Sequence, residues 1–173
     1  MTCQSIVRTA KPEDHHEVWR LFLQGHAENG MFPLAHEKVQ WFMTRALAPY
    51  TIPPEDTGPR GVIGVIGPVG GTLEGVSFVL LSEFWYSNEK HIEELLVFVD
   101  HDCRRSDHAK ALVNWMKQQS DYTGLKLITG VISNDRTEAK CRLYRRWVPK
   151  VGEFFMYVGT KGSGAQLATV ASS

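Results

Sequence analysis

The length, composition and charge of the chain are those of one ordinary globular domain. It has 173 residues, of which 43% are hydrophobic and 22% charged, and a chain of this size buries enough surface to fold without disulfide support. Nineteen basic residues balance nineteen acidic ones, so the net charge gives no support to general binding of nucleic acid or of acidic membranes.

The three cysteines, Cys3, Cys103 and Cys141, are odd in number and show no CxxC spacing. This pattern argues against a disulfide framework and against a zinc site, and it indicates a reducing compartment. The sequence shows no signal-peptide pattern, and no apolar run reaches the ~20 residues needed to span a bilayer. We therefore expect no metal site, and either a cytoplasmic protein or a component of a virion or another assembly.

The first part of the chain has the signals of a short strand, two helices and a loop. Apolar residues recur at helical spacing in both helices, Pro12 opens the first helix, and we expect that helix to end at Gly25. In chain order, the predicted elements are a strand at 5–8, helices at about 12–24 and 35–47, and a proline-rich loop at 49–59.

From Gly61 onward the pattern changes to β-branched and apolar runs separated by turns and two helices. The predicted elements are strands at 62–66, 73–84 and 92–99, a helix from 106 or 107 to about 120, a strand at 125–132, a helix at about 136–146 and a strand at 154–159. The order β-α-α-β-β-β-α-β-α-β predicts a mixed α/β fold, with parallel pairing between strands that a helix connects.

The segment from Ile92 to Met116 is the most informative part of the sequence. An apolar strand ends at Val99, and a polar, basic turn leads into a helix that begins at Ser106 or Asp107. Such a turn directs several backbone N–H groups to one point, where the helix dipole adds positive potential. The sequence therefore predicts a binding site for a pyrophosphate group at this turn.

The same turn carries a recognisable pattern. Its residues are Arg104-Arg105-Ser106-Asp107-His108-Ala109, and they resemble the pattern Arg/Gln-x-x-Gly-x-Gly/Ala of the GNAT acyltransferase superfamily. The first and last positions match, whereas Asp107 replaces the central glycine that allows close approach of a phosphate. The aspartate either crowds the ligand or caps the helix with its side chain turned away. We expect His108 to point inward and pack.

A second partial match follows the next strand. The superfamily has an asparagine after its fifth strand and then a helix that ends in tyrosine, and Asn134 and Tyr144 fit that spacing. The element order also matches over about 5–159. The resemblance implies a GNAT-like mixed central sheet of about six to seven strands with helices on both faces. It gives a domain at 1–159 and a C-terminal tail at 160–173.

The resemblance also implies acetyl-CoA as co-substrate and an amine as acceptor. Main-chain groups of the strand would contact the pantetheine arm, the turn would hold the pyrophosphate, and the asparagine would bind the arm or only cap its helix. The implied cofactor-binding residues are Val97, Phe98, Val99, Arg104, Arg105, Ser106, Asp107, His108, Ala109 and Asn134.

Acetyl transfer to an amine needs a base for the nitrogen and an acid for the leaving thiolate. Glu93 matches the strand carboxylate that serves as base in some members of the superfamily. Glu94 points to the opposite face of the strand, so only one of the two can face the acceptor. Tyr144 is implied as the acid that protonates the sulfur of CoA, or as a hydrogen-bond donor to it.

Three functions remain open from the sequence. The first is an N-acetyltransferase for an amine of a small molecule or protein. The second is a non-catalytic GNAT-fold protein of a phage virion or other oligomeric assembly, which Asp107, the Arg145-Arg146-Trp147 run after Tyr144 and the tail at 160–173 favour. The third is a toxin that acetylates aminoacyl-tRNA, which predicts a basic groove near Arg142. Homo-oligomerisation through the tail is a further expectation.

Overall fold

A computed structural model describes residues 5–131 and 137–150, which form one mixed sheet with helices on both faces. In chain order the elements are β1 (Arg8–Thr9), α1 (His15–Asn29), α2 (His36–Leu47), β2 (Arg60–Ile66), β3 (Gly75–Glu83), β4 (Lys90–Val99), α3 (His108–Thr123), β5 (Lys126–Ile128) and α4 (Thr137–Arg145). Short 3₁₀ turns lie at Pro12–Asp14, Pro49–Thr51 and His101–Cys103.

The sheet has the strand order β1-β2-β3-β4-β5. The first four strands pair antiparallel, and β5 pairs parallel with β4. The α3 helix makes the connection that two parallel neighbours require. The mixed α/β fold with helices on both faces is confirmed, although the described residues form five strands where the sequence predicted about six to seven.

Each face of the sheet is covered by a pair of helices and has its own hydrophobic core. On one face α1 and α2 contribute Val18, Leu21, Met43, Ala46 and Leu47, which pack with Ile63, Val65, Val76, Phe78 and Phe98 of the sheet. On the other face α3 and α4 contribute Val113, Trp115, Met116 and Tyr144, which pack with Val79 and Ile92.

A β-bulge in β4 changes which side chains face which core. Val79 lies opposite Glu94 and Phe78 opposite Leu96, so Leu95 is an extra residue in β4. Strict alternation would put Ile92 and Leu96 on one face, but Ile92 packs with α3 and α4 whereas Leu96 packs with α1 and α2. The bulge therefore decides which side chains at the end of β4 face each core. The strand then leads to the turn at 104–109, called the cofactor turn below.

The first helix is longer than predicted, since α1 continues through Gly25 to Asn29. Gly25 is buried against β4, where an added Cβ would lie 3.1 Å from the Phe98 ring. The glycine thus allows a close helix–strand approach instead of ending the helix, and this packing outweighs its low helix propensity. As a result, the last turn of α1 reaches the end of β4.

Several expectations lie outside the described residues. These are Asn134, the strand at 154–159 and the tail at 160–173 with its proposed role in oligomers. Among the helices that the structure describes, none is both long enough and apolar enough to cross a membrane.

Candidate active site

A pocket of about 350 Å³ lies beside the C-terminal half of β4. Within the described residues, β5 pairs with β4 only as far as Ile128 opposite Glu93, while β4 continues to Val99. The end of β4 is thereby left open on the side where its parallel neighbour runs out. The main-chain N–H and C=O groups at the end of β4 can therefore hydrogen-bond a ligand instead of a neighbouring strand.

The pocket brings together residues from α1, β4, α3, α4 and the cofactor turn. Its lining consists of Glu28, Asn29, Val97, Phe98, Val99, Arg104, Ser106, Ala109, Ala139, Lys140, Leu143 and Tyr144. Among the predicted site residues that the structure describes, Arg105, Asp107, His108 and Glu93 are not part of this lining. Asn29 and Lys140 carry no recognisable pattern in the sequence, because they reach the pocket only through the packing of their helices.

The chemically most distinctive contact in the pocket joins Tyr144 to Glu94. The Tyr144 hydroxyl donates a hydrogen bond of 2.5 Å to Oε1 of Glu94, and both groups are largely removed from water. Burial raises the pKa of Glu94 to about 7, and the hydrogen bond from Tyr144 and the charge of Lys140 lower it only in part. Burial and the neighbouring carboxylate raise the pKa of Tyr144 well above its usual value.

The second oxygen of Glu94, Oε2, is buried and accepts no hydrogen bond within the described part of the chain. Burial of a carboxylate oxygen without a hydrogen-bond donor disfavours the charged form of the group relative to the protonated form. Glu94 does not line the pocket itself but lies behind Tyr144, which does. Its change of protonation state near neutral pH is the property expected of a group that exchanges protons during catalysis.

Arg104 is held at the mouth of the pocket by two neighbours. Its guanidinium forms an ion pair with Glu28 at the end of α1, and it lies over the Phe98 ring at 5.6 Å from the centroid. Arg104 thus needs no large movement to meet an anionic ligand, but the Glu28 carboxylate competes for it.

The cofactor turn leads directly into the N-terminus of α3. The helix begins at His108, and Ala109 in its first turn lines the pocket. First-turn amides have no partner within a helix, and the helix dipole makes this end positive. Ser106 also lines the pocket, and its hydroxyl donates 2.6 Å to the carbonyl of Cys103 and accepts from the His108 amide. The turn is therefore ordered by internal hydrogen bonds.

Asp107 occupies the position just before α3 but does not cap the helix with its side chain. Its carboxylate accepts a hydrogen bond of 2.5 Å from Ser5 Oγ. The capping alternative is therefore wrong for the side chain. The expectation that His108 packs inward is met, since it is buried, with its ring nitrogens 2.6 Å from Ser5 Oγ and from Glu74 Oε2.

The two carboxylates predicted as base candidates occupy different environments. Glu94 contacts Tyr144 on the α3 and α4 side of the sheet. Glu93 lies on the opposite side of the strand by the alternation that holds before the bulge, next to the buried His91 two residues earlier. The two carboxylates thus lie on opposite sides of β4, and neither is part of the pocket lining.

Comparison with known proteins yields a structural likeness without a sequence match. No protein-family model matches the chain, and no curated protein matches its sequence.

Solved acetyltransferase structures share the fold over almost the whole chain. A ribosomal-protein-alanine N-acetyltransferase from Brucella melitensis superposes with a TM-score of 0.60 at 16% identity, covering 91% of this chain and 99% of that one. A predicted acetyltransferase from Clostridium acetobutylicum, with acetyl-CoA, gives 0.66 at 9% identity, covering 90% and 96%. An aminoglycoside acetyltransferase from an uncultured soil metagenomic sample, in complex with trehalose, gives 0.59 at 14% identity, covering 90% and 95%.

At these low identities, the superpositions show a shared fold and nothing further. The chain has the GNAT-like architecture that the sequence predicted, and function has to be argued from the site.

Proposed function

We propose that the protein transfers an acetyl group from acetyl-CoA to an amine of a small molecule or protein. The observation that carries this proposal is the pocket between the open end of β4 and α4, with Tyr144 and Glu94 hydrogen-bonded at its wall. A fold shared with acetyltransferases, one of them solved with acetyl-CoA, supports the proposal.

Acetyl-CoA fits the pocket by three kinds of contact. The main chain of Val97, Phe98 and Val99 pairs with the pantetheine arm, as a strand pairs with an added strand. The pyrophosphate meets the N-terminus of α3 and the turn at 104–109, where Arg104 supplies a positive side chain. Asn134, outside the described residues, is proposed to hydrogen-bond the arm.

Tyr144 is proposed as the acid for the leaving group. As the amine nitrogen forms its bond to the thioester carbon, the C–S bond breaks and its electron pair moves to sulfur. The Tyr144 hydroxyl then gives its proton to the sulfur. A phenol suits this role because burial holds its pKa well above the usual value, so the group stays protonated until the thiolate develops.

Glu94 is proposed to act through Tyr144 as a proton relay. When charged, Glu94 accepts the Tyr144 proton, which directs that proton away from a ligand. When protonated, Glu94 donates to the same phenol oxygen and leaves the Tyr144 hydrogen free for the sulfur. Glu94 replaces the proton that Tyr144 loses and is itself reprotonated from solvent.

Glu93 remains the proposed base for the amine, acting directly or through water. It lies on the side of β4 opposite Glu94, so acid and base act from two sides of the strand. The proton removed from the attacking nitrogen passes to Glu93 or to solvent. The number of protons then balances, since one leaves nitrogen and one reaches sulfur.

The test uses the full chain and two tyrosine variants. Calorimetric titration with acetyl-CoA should give saturable binding, and a thiol-release assay with a panel of small amines and an N-terminal peptide amine should reveal turnover. Tyr144→Phe should lower the rate by about 10- to 1000-fold with little loss of CoA affinity. Tyr122→Phe is the matched control, because Tyr122 is 89% exposed on α3.

Each outcome has a defined meaning. An unchanged rate in Tyr144→Phe removes this residue as the acid. Absence of binding at millimolar acetyl-CoA removes the acetyltransferase proposal and leaves a GNAT-fold protein that serves an assembly.

A further inference from the structure

A second cluster of reactive side chains lies behind the cofactor turn, outside the pocket. Glu74 precedes β3, Cys103 ends the 3₁₀ turn just before Arg104, and His108 begins α3. One ligand atom from each residue lies within 4.8 Å of the others. None of the three lines the proposed acetyl-CoA pocket as the described residues form it, so the cluster is a separate feature of the molecule.

The hydrogen bonds around His108 leave its Nε2 nitrogen facing Glu74. Ser5 has a single hydroxyl hydrogen, which it donates to the Asp107 carboxylate at 2.5 Å. The Ser5 oxygen, 2.6 Å from Nδ1 of His108, must therefore accept a hydrogen from that nitrogen. In the neutral imidazole this fixes the lone pair on Nε2, which lies 2.6 Å from Oε2 of Glu74.

A lone pair directed at a carboxylate oxygen is unfavourable, so Nε2 carries either a proton, which makes the contact an ion pair with Glu74, or a metal ion that both residues ligate. Cys103 is free, and its sulfur lies near the same two atoms. Thiolate, imidazole and carboxylate form a donor set that Zn²⁺ prefers. A ligating histidine usually donates its other N–H to a group that is itself anchored, and the chain from His108 through Ser5 to Asp107 has this form.

We infer that Glu74, Cys103 and His108 form a Zn²⁺ site with a fourth position for water. Zn²⁺ displaces the thiol proton of Cys103, so one proton is released for each ion bound at this residue. Ser5 and Asp107 hold the ring of His108 in the tautomer that presents Nε2 to the metal. This proposal does not depend on the acetyltransferase activity.

The required rearrangement is small. Bond lengths of about 2.0–2.3 Å place two ligand atoms of a tetrahedral site roughly 3.3–3.8 Å apart. Nε2 of His108 and Oε2 of Glu74 are now 2.6 Å apart. Their separation must therefore increase to roughly 3.3 Å when both bind the ion. Glu74 is 49% exposed at its side chain and can move, whereas His108 is 11% exposed and fixed.

The ion would tie three segments that are distant in sequence. It would join the start of β3, the turn and α3, and so fix the turn that precedes the proposed pyrophosphate site. The sequence does not reveal this site, because Glu74 lies far from the other two residues along the chain and no regular ligand spacing exists.

The experiment measures metal binding directly. Chelator-treated protein is titrated with Zn²⁺ against a chromophoric chelator, and with Co²⁺ while the thiolate-to-cobalt charge-transfer band in the near ultraviolet is followed. We expect one Zn²⁺ per chain and a charge-transfer band. Cys103→Ser should abolish the band and weaken Zn²⁺ at least about 10-fold, and Glu74→Gln should weaken Zn²⁺ similarly.

Controls separate this site from other thiols and from loss of folding. Cys141→Ser removes the cysteine of α4, which is free like Cys103, and should leave the affinity and the band unchanged. Ser5→Ala keeps all three ligands and should weaken Zn²⁺ by about 10- to 100-fold through the loss of the histidine's anchor. Circular dichroism of each variant checks that the fold is retained.

The proposal is overturned by either of two results. One is that the wild-type chain binds no stoichiometric Zn²⁺ at micromolar concentration. The other is that Cys103→Ser and Glu74→Gln bind as tightly as Cys141→Ser. In both cases the cluster is a structural ion pair of His108 with Glu74.

Discussion

Tyr144 and Glu94 lie 50 residues apart in the sequence and share a hydrogen bond of 2.5 Å at the wall of the pocket. The bond joins α4 to β4 at the point where the parallel strand pairing ends. Because Glu94 has a pKa of about 7, this contact couples both stability and the proposed chemistry to pH near neutrality.

The burial of Glu94 should make the folded protein less stable as pH rises. The carboxyl pKa goes from 4.5 to about 7 on folding, so between these values the folded state binds more protons than the unfolded state. Stability then falls with increasing pH across that window, by roughly 3 kcal/mol. Glu94→Gln should remove this loss.

Denaturant unfolding of both proteins at several pH values measures the effect. The free energy of unfolding of the wild type should fall relative to that of Glu94→Gln as pH rises from 4.5 to about 7. A difference that stays constant with pH would show that Glu94 titrates normally.

The proposed relay also predicts a change in the pH profile of kcat. Catalysis through protonated Glu94 should decline in the wild type as pH rises through about 7. The amide that Glu94→Gln introduces stays neutral and can still donate to the phenol oxygen, so this variant should lose the descending limb. Turnover at saturating concentrations of both substrates is the measurement, and an identical limb in the two enzymes would exclude the relay.

Arg104 and Glu28 should affect CoA affinity in opposite directions. Arg104→Gln removes a charged donor to the pyrophosphate and should weaken binding about 10- to 100-fold. Glu28→Gln frees Arg104 from a partly exposed ion pair worth up to ~1 kcal/mol, so it should tighten binding by about 2- to 5-fold. Calorimetry of the two variants tests this, and changes of the same sign would contradict the competition between Glu28 and the ligand.

Asp14 should dominate stability in acid. Its fully buried carboxylate accepts hydrogen bonds from Arg8 at 2.7 and 2.9 Å and from the amides of Lys11 and Gly70 at 2.8 and 3.0 Å. Burial alone raises the pKa, but these bonds outweigh it and lower the pKa from 3.8 to about 2. The stabilisation is present above pH 3.8 and is lost as pH falls toward the folded-state value.

Asp14→Asn should therefore destabilise the protein at neutral pH by about 2–4 kcal/mol. Its neighbour Glu13 is exposed, so Glu13→Gln is the control and should stay within about 0.5 kcal/mol of wild type. Unfolding free energies at neutral pH and near pH 2 provide the measurement. A deficit in Asp14→Asn that does not shrink in acid would argue against the lowered pKa.

Gly64 should resist enlargement because α3 packs directly on it. A Cβ at this position would lie 2.7 Å from the indole ring of Trp115, whereas a Cβ at Gly130 would meet no atom within 4 Å among the described residues. Gly64→Ala should cost about 1–3 kcal/mol, since overpacking forces the ring or the helix to shift. Gly130→Ala should be close to neutral, and thermal unfolding of the pair tests the difference.

Much of the fold follows from local sequence signals. The spacing of apolar residues predicts a helix at 35–47, and α2 occupies His36–Leu47. Gly124 directly follows α3 in the left-handed conformation that glycine adopts readily, and a glycine after a helical run is a local signal for the end of a helix. Such features depend on a few neighbouring residues, so the sequence specifies them without knowledge of the rest of the chain.

The site itself was predicted only in part. The open end of β4, the start of α3 and Tyr144 all line one pocket, as the two partial patterns implied. The end of α1 was misjudged because Gly25 has low helix propensity, while the deciding factor was the ring of Phe98 on another element.

The sequence by itself determined the elements and their order, because helical and strand periods and turn residues act over a few positions. Only the tertiary structure decided that Glu94 meets Tyr144, since α4 packs on the face of β4 that Glu94 shares with Ile92, and that Glu74 meets Cys103 and His108. Side chains from distant segments shift one another's pKa values, or form a set of metal ligands, only when packing brings them together, and no local pattern encodes that proximity.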